Sequence, residues 1–163
     1  IQSWDMTFKD SDGSDYVVGQ VWGRKAADRY LLDQVRGRMD FPATLAAVKA
    51  LTAKWPQARA KLVEDKANGP AVIAMLKREI PGLIAVEPQG SKAARVAAVS
   101  PEIESGNVYL PDPSIAPWVN DFVEECAAFP KGKHDDQVDT MSQALFRFAQ
   151  RRGMRPFPKP KGW

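Results

Sequence analysis

Residues 2–8, Gln2-Ser3-Trp4-Asp5-Met6-Thr7-Phe8, alternate with period two, so that Trp4, Met6 and Phe8 fall on one face and Ser3, Asp5 and Thr7 on the other. The spacing predicts a strand that carries an acid. A turn rich in Asp, Ser and Gly follows from Lys9 to Ser14, and then Asp15–Gly23 and Arg29–Arg38 both read as strands. Short links between three successive strands imply an antiparallel arrangement.

Downstream the pattern changes to strands separated by helices. Asp40 can cap a helix over Phe41 to about Trp55, in which Leu45, Val48, Leu51 and Trp55 recur at helical spacing and Pro56 ends the run. Ala60–Asp65 is a short apolar strand ending in acids, Asn68–Ile80 a helix begun by Asn68 and Pro70, and Leu83–Val86 a further strand. A helix near Ser91–Val99, a strand Asn107–Leu110, a helix Ala116–Ala128 and a long helix Asp135–Arg151 complete the order. The expected fold is α/β: a mixed sheet, antiparallel in its first three strands and parallel afterwards, with helices on both faces. Trp4, Trp22, Trp55 and Trp118 read as core.

At 163 residues and 44% hydrophobic composition the chain can bury one sizeable core, so one domain is expected over 1–152, followed by a basic Pro-rich tail over 153–163 that reads as loosely ordered. Ile1 in place of Met, with a core strand beginning at once, points to a piece of a longer protein. Cys126 is the single cysteine and leaves no internal bridge to form, which fits a reducing, cytoplasmic location. No apolar run approaches the roughly 20 residues of a membrane span, so a soluble protein is expected. A net charge of +3 permits a polyanionic partner without demanding one.

Three acidic groups stand at strand ends or helix starts, where α/β folds present side chains to ligands: Asp5, the pair Glu64 and Asp65, and the cluster Asp135, Asp136 and Asp139. In Lys133-His134-Asp135-Asp136-Gln137-Val138-Asp139 the acids sit three and four apart at a helix start, so they share a face. Each acid alone has a plain explanation, as a solvated strand edge or a helix cap. Taken together they do not, because an acid on a central strand is costly unless something neutralises it. Mg²⁺ and Mn²⁺ take oxygen ligands, and a pair about 4 Å apart suits phosphodiester cleavage. No GxxxxGK[ST] loop is present, which counts against a nucleotide-binding enzyme.

Read in order, SWDMTFK (3–9), LVEDKANGPAVI (62–73), PQGSKAARV (88–96), ESGNVYLP (104–111) and KHDDQVDTMSQAL (133–145) resemble the nuclease domain of phage terminase large subunits, over about residues 2–149. That resemblance implies an RNase H-like fold, related to resolvases and integrases, that cuts double-stranded concatemeric DNA with two divalent metal ions, Mg²⁺ or Mn²⁺. By position it implies Asp5, Glu64 and Asp136 as catalytic acids, with Asp135 or Asp139 as an additional metal ligand and Asp65 as an auxiliary. Lys92 and Arg95 match the family's GSKxxR string and, with Lys9 and Lys133, form the expected DNA-binding set; His134 is an auxiliary candidate for metal, phosphate or proton transfer. The family also implies an N-terminal ATPase domain, a terminase small subunit and a portal as partners, and the cytoplasm of an infected or prophage-carrying bacterium as the setting. Two other readings stay open: a Holliday-junction-resolvase-like nuclease, and a non-catalytic DNA-binding or motor-assembly module.

Overall fold

The computed structural model describes residues 1–6, 16–65 and 69–150. Lys9, Asn68, the expected turn at 9–14 and the tail 153–163 therefore lie outside the described residues.

Six strands, β1 (Gln2–Asp5), β2 (Val17–Lys25), β3 (Asp28–Gly37), β4 (Lys61–Glu64), β5 (Leu83–Val86) and β6 (Val108–Tyr109), form one sheet in the order β5-β4-β1-β2-β3-β6. β1, β2 and β3 are antiparallel neighbours, while β4 runs parallel to β1, β5 to β4 and β6 to β3. This is the mixed sheet that the alternation and the strand-helix order predict. The helices are α1 (Phe41–Lys54), α2 (Gly69–Glu79), α3 (Lys92–Glu104), α4 (Val119–Ala128) and α5 (Asp136–Gln150). No helix among the described residues is long and apolar enough to cross a membrane.

Two apolar cores sit on opposite faces of the sheet. One joins Trp4, Val17, Val21 and Val63 to Val48 and Leu51 of α1 and to Ile73 and Leu76 of α2. The other joins Trp22 and Leu31 to Val99 of α3, Phe122 of α4 and Val138, Met141, Leu145 and Phe148 of α5. β1 is therefore buried along its whole length. Gly19, the partner of Trp4 across β1 and β2, leaves the space its indole fills, and a Cβ there would collide with that ring.

Several boundaries depart from the sequence reading for identifiable reasons. α1 starts as expected, with the Asp40 side chain accepting from the Ala43 amide. α3 continues past Val99 and through Pro101 to Glu104. Its last turn is held by Glu102, which pairs at 2.9 Å with the buried guanidinium of Arg29. α4 begins at Val119 rather than Ala116, because Ile115 and Ala116 turn back onto the Asp112 carbonyl and Pro117 has no amide to donate. The β2–β3 hairpin closes on Ala26-Ala27, with Ala26 at φ 53°. No Gly or Asn marks this turn; Arg29 steadies it instead, donating to the carbonyls of Ala26, Ala27 and Asp28.

Candidate metal centre

The polar face of β1 decides where α5 lies. The Ser3 hydroxyl donates to the Thr140 carbonyl at 2.8 Å and accepts from the Gln143 side-chain amide at 2.8 Å. Gln20 of β2 donates to the Gln137 carbonyl, Gln34 of β3 donates to the Gln137 side chain, and Gln137 donates through its backbone and side-chain N–H groups to Glu125 of α4. Arg36 completes this seam with an ion pair to Glu125 at 3.2 Å. Buried polar groups are tolerated when each finds a partner, and a partnered seam holds a helix in one rotation. Here that rotation turns Asp136, Gln137, Asp139, Thr140 and Ser142 inward, all of them buried.

Asp5 projects from β1 on the same side, and Glu64 from β4 one step beyond the Trp4–Val63 pair. Strand alternation in Leu62-Val63-Glu64-Asp65 separates the two adjacent acids: Leu62 and Glu64 line the cleft with Asp5, whereas Val63 points into the opposite core. One carboxylate oxygen each from Asp5, Glu64 and Asp139 lies within 4.8 Å of the others. Asp5 and Asp139 are buried, at 8% and 4% exposure. The donor set is all oxygen, carries up to three negative charges and comes from three separate elements, which suits a hard divalent cation.

Burial pushes the Asp5 carboxyl up to about 7, and the charges of Glu64, Asp136 and Asp139 add to the shift, opposed by Lys92. The neighbouring cations come from α3, whose Ser91 cap accepts from the Ala94 amide. Lys92 lies 2.6 Å from Asp135 Oδ1 and 2.8 Å from Asp139 Oδ2. Arg95 lies 2.8 Å from Asp139 Oδ1 and 3.7 Å from Glu64 Oε1. Burial acts to lower the Lys92 ammonium, but its hydrogen bonds to Asp135 and Asp139 outweigh this and hold it above the ordinary lysine value.

Of the residues singled out by sequence, Asp5, Glu64, Asp139, Lys92 and Arg95 come together. Asp136 is the buried first residue of α5; its charge reaches Asp5, yet its carboxylate stands outside the three-oxygen group. Asp135 faces Lys92, and Asp65 is half-buried with its amide bonded to the Val86 carbonyl. His134 packs edge-on against Tyr16 at 5.1 Å, and Lys133 is exposed beside it. Three further groups stand outside the residues singled out by sequence. Glu125 anchors α5, Gln143 ties it to β1, and Arg36 and Arg38 stack over Tyr16 at 3.9 and 5.4 Å. Arg36 faces Val18, which in turn faces Asp5, so these cations flank the carboxylates two strands away, on the side opposite β4.

The model of the family described as terminase RNaseH-like domain matches residues 2–148. Among solved structures, the large terminase nuclease of thermophilic phage G20c with bound zinc is similar, with a TM-score of 0.69 and 19% identity over 90% of this chain and 81% of that one. The same phage's nuclease with bound magnesium gives 0.66 and 16%, over 90% of this chain and 82% of that one. The fowlpox virus Holliday junction resolvase gives 0.54 and 13%, over 94% and 98% respectively. At such identities the likeness to these structures is one of fold. No curated protein sequence matches.

Proposed function

The chain belongs to the terminase RNaseH-like domain family, and from that premise we propose that it is a metal-dependent endodeoxyribonuclease that cuts double-stranded, concatemeric DNA during viral genome packaging. The observation that carries the proposal is the meeting of Asp5, Glu64 and Asp139 within 4.8 Å, beside Lys92 and Arg95. Divalent metals bound to the G20c nuclease, which shares the fold, add support.

In this reading Asp5, Glu64 and Asp139 hold one Mg²⁺ or Mn²⁺, and Asp136, whose charge also bears on Asp5, contributes to a second. Divalent cations held there supply the positive charge that stabilises the attacking and leaving oxygens of phosphodiester hydrolysis. Asp5 must give up its proton to serve as a ligand, and the charge of Lys92 favours that loss. Glu125 and Gln137 keep α5 in the rotation that presents Asp139. Lys92, Arg95 and Lys133, with Arg36, Arg38 and His134 across the sheet, bear positive charge or donors for flanking phosphates. Such contacts position DNA without reading its sequence. The partners in this reading are an ATPase domain, a small subunit and a portal, and the setting is the cytoplasm of an infected or prophage-carrying bacterium.

The test is plasmid cleavage in Mn²⁺, Mg²⁺ and EDTA, with Asp5→Ala and Asp139→Ala variants checked for folding. Metal-dependent nicking and linearisation, lost in both folded variants, is the expected result. DNA binding without cutting under any metal would favour the docking module instead, and a marked preference for four-way over linear duplex would favour a resolvase.

A further inference from the structure

Asp139 is hemmed in by positive charge. Its Oδ1 faces Arg95 and its Oδ2 faces Lys92, both at 2.8 Å, and its side chain is only 3% exposed. Lys92 also bridges to Asp135 at 2.6 Å, while Arg95 reaches toward Glu64 at 3.7 Å. The two cations differ in freedom. The Arg95 side chain is 15% exposed and lodged between Glu64 and Asp139, whereas that of Lys92 is 41% exposed, on a flexible four-carbon stem that opens to solvent.

We infer that Lys92 is a place-holding cation, which neutralises Asp139 and Asp135 when no divalent ion is present and has to withdraw from Asp139 when one is taken up. The inference rests on the reading of Asp5, Glu64 and Asp139 as a metal centre. Its physical basis is competition for one anion. A buried carboxylate needs a counter-charge, and an ammonium against Oδ2 supplies it at the position where a divalent cation's charge would otherwise act. The two like charges repel, so each weakens the other's hold on Asp139, and by linkage the weakening is mutual. Lys92 is the one that yields because its head group can reach water, while Arg95 stays to fix Asp139 and Glu64. The released ammonium, still tethered at the start of α3, then becomes available to a DNA phosphate. On this account the site offers Lys92 to substrate only once it is loaded.

The experiment uses the DNA-free chain and reads Mn²⁺ binding by calorimetry and melting temperature in EDTA, for the parent, Lys92→Met, Lys92→Gln and Asp139→Asn. The expected result is Mn²⁺ binding about tenfold tighter in both Lys92 variants than in the parent, with lower melting temperatures in EDTA and a larger gain on adding Mn²⁺. An independent readout is the acetylation rate of the Lys92 amine, followed by mass spectrometry, which should rise on adding Mn²⁺ to the unmutated chain. Equal or weaker Mn²⁺ binding in both Lys92 variants, with binding abolished in Asp139→Asn, overturns the place-holder and leaves the metal centre standing. Absence of Mn²⁺ binding in the parent and both Lys92 variants overturns the two together. An acetylation rate indifferent to Mn²⁺ overturns the withdrawal of Lys92 even if the affinities shift.

Discussion

The two faces of β1 are both shut off from water, yet they are held by opposite means. On one, Trp4 fills the space above Gly19 among Val17, Val21, Val63 and Leu76, and apolar area is what stabilises it. On the other, Ser3 and Asp5 meet α5, where hydrogen bonds run from Ser3 through Thr140 and Gln143 and three acids crowd together. The first face is complete in itself. On the second, burial, together with the charges of Glu64, Asp136 and Asp139, outweighs the opposing charge of Lys92, which is why Asp5 holds its proton up to about 7. A molecule can thus spend the stability of one face to keep the other poised for a ligand.

Substitutions on the two faces should therefore move stability in opposite directions. The largest effect is expected from Asp5→Asn, which should lower DNA cleavage by about four orders of magnitude, the several kcal/mol that a metal centre supplies to the reaction. The same variant should melt at a higher temperature than the parent in EDTA, because it removes a charge that burial and three neighbouring acids disfavour. A lower melting temperature would break the contrast between the faces. Trp4→Ala, on the apolar side, should cost about 3–5 kcal/mol in denaturant unfolding through the cavity it leaves. A loss under 1 kcal/mol would mean that the indole is not the keystone of that core.

Between these sits the polar seam. Glu125→Ala strands the Gln137 amide and Arg36, and should cost about 1–3 kcal/mol. It should also weaken Mn²⁺ binding without touching a ligand, since α5 loses the bonds that fix its rotation; unchanged affinity would show that Ser3 and Gln143 suffice. The smallest effect is that of pH. Asp5 titrates higher when folded than its ordinary 3.8, so its contribution to the metal-free fold is intact below about 4 and is lost progressively as pH rises to about 7. Metal binding runs the other way, because the cation competes with that proton. Mn²⁺ affinity should fall by up to about tenfold per unit as pH drops below 7, in calorimetric titrations. Affinity flat from pH 5 to 7 would remove Asp5 from the ligand set.

The sheet was legible in the sequence because its information is local. Period-two alternation separates Ser3 and Asp5 from Trp4 and Met6, and the same rule separates Glu64 from Asp65. The string KHDDQVD, by contrast, does not say which of its three acids meets Asp5 and Glu64. Positions three and four apart share a helix face, and the choice among them depends on how the helix is turned. That turn is set by Glu125, Gln34 and Ser3, residues distant in sequence from the string they orient. The run of α3 through Pro101, and the closing of the expected β2–β3 hairpin at Ala26-Ala27, escape local reading for a similar reason, since both involve the buried side chain of Arg29.

The bond between Ser3 and Thr140 joins groups 137 residues apart along the chain, and Gln143 reaches back over a similar span. Contacts of such long range form late, and synthesis adds residues in order. Asp5 and Glu64 thus leave the ribosome well before Asp139, and an unfinished chain cannot bring the three carboxylates together. On the proposed reading, a chain assembled in this order would be inert toward DNA while it is being made, and the carboxylate centre would come into existence only when the α5 segment docks.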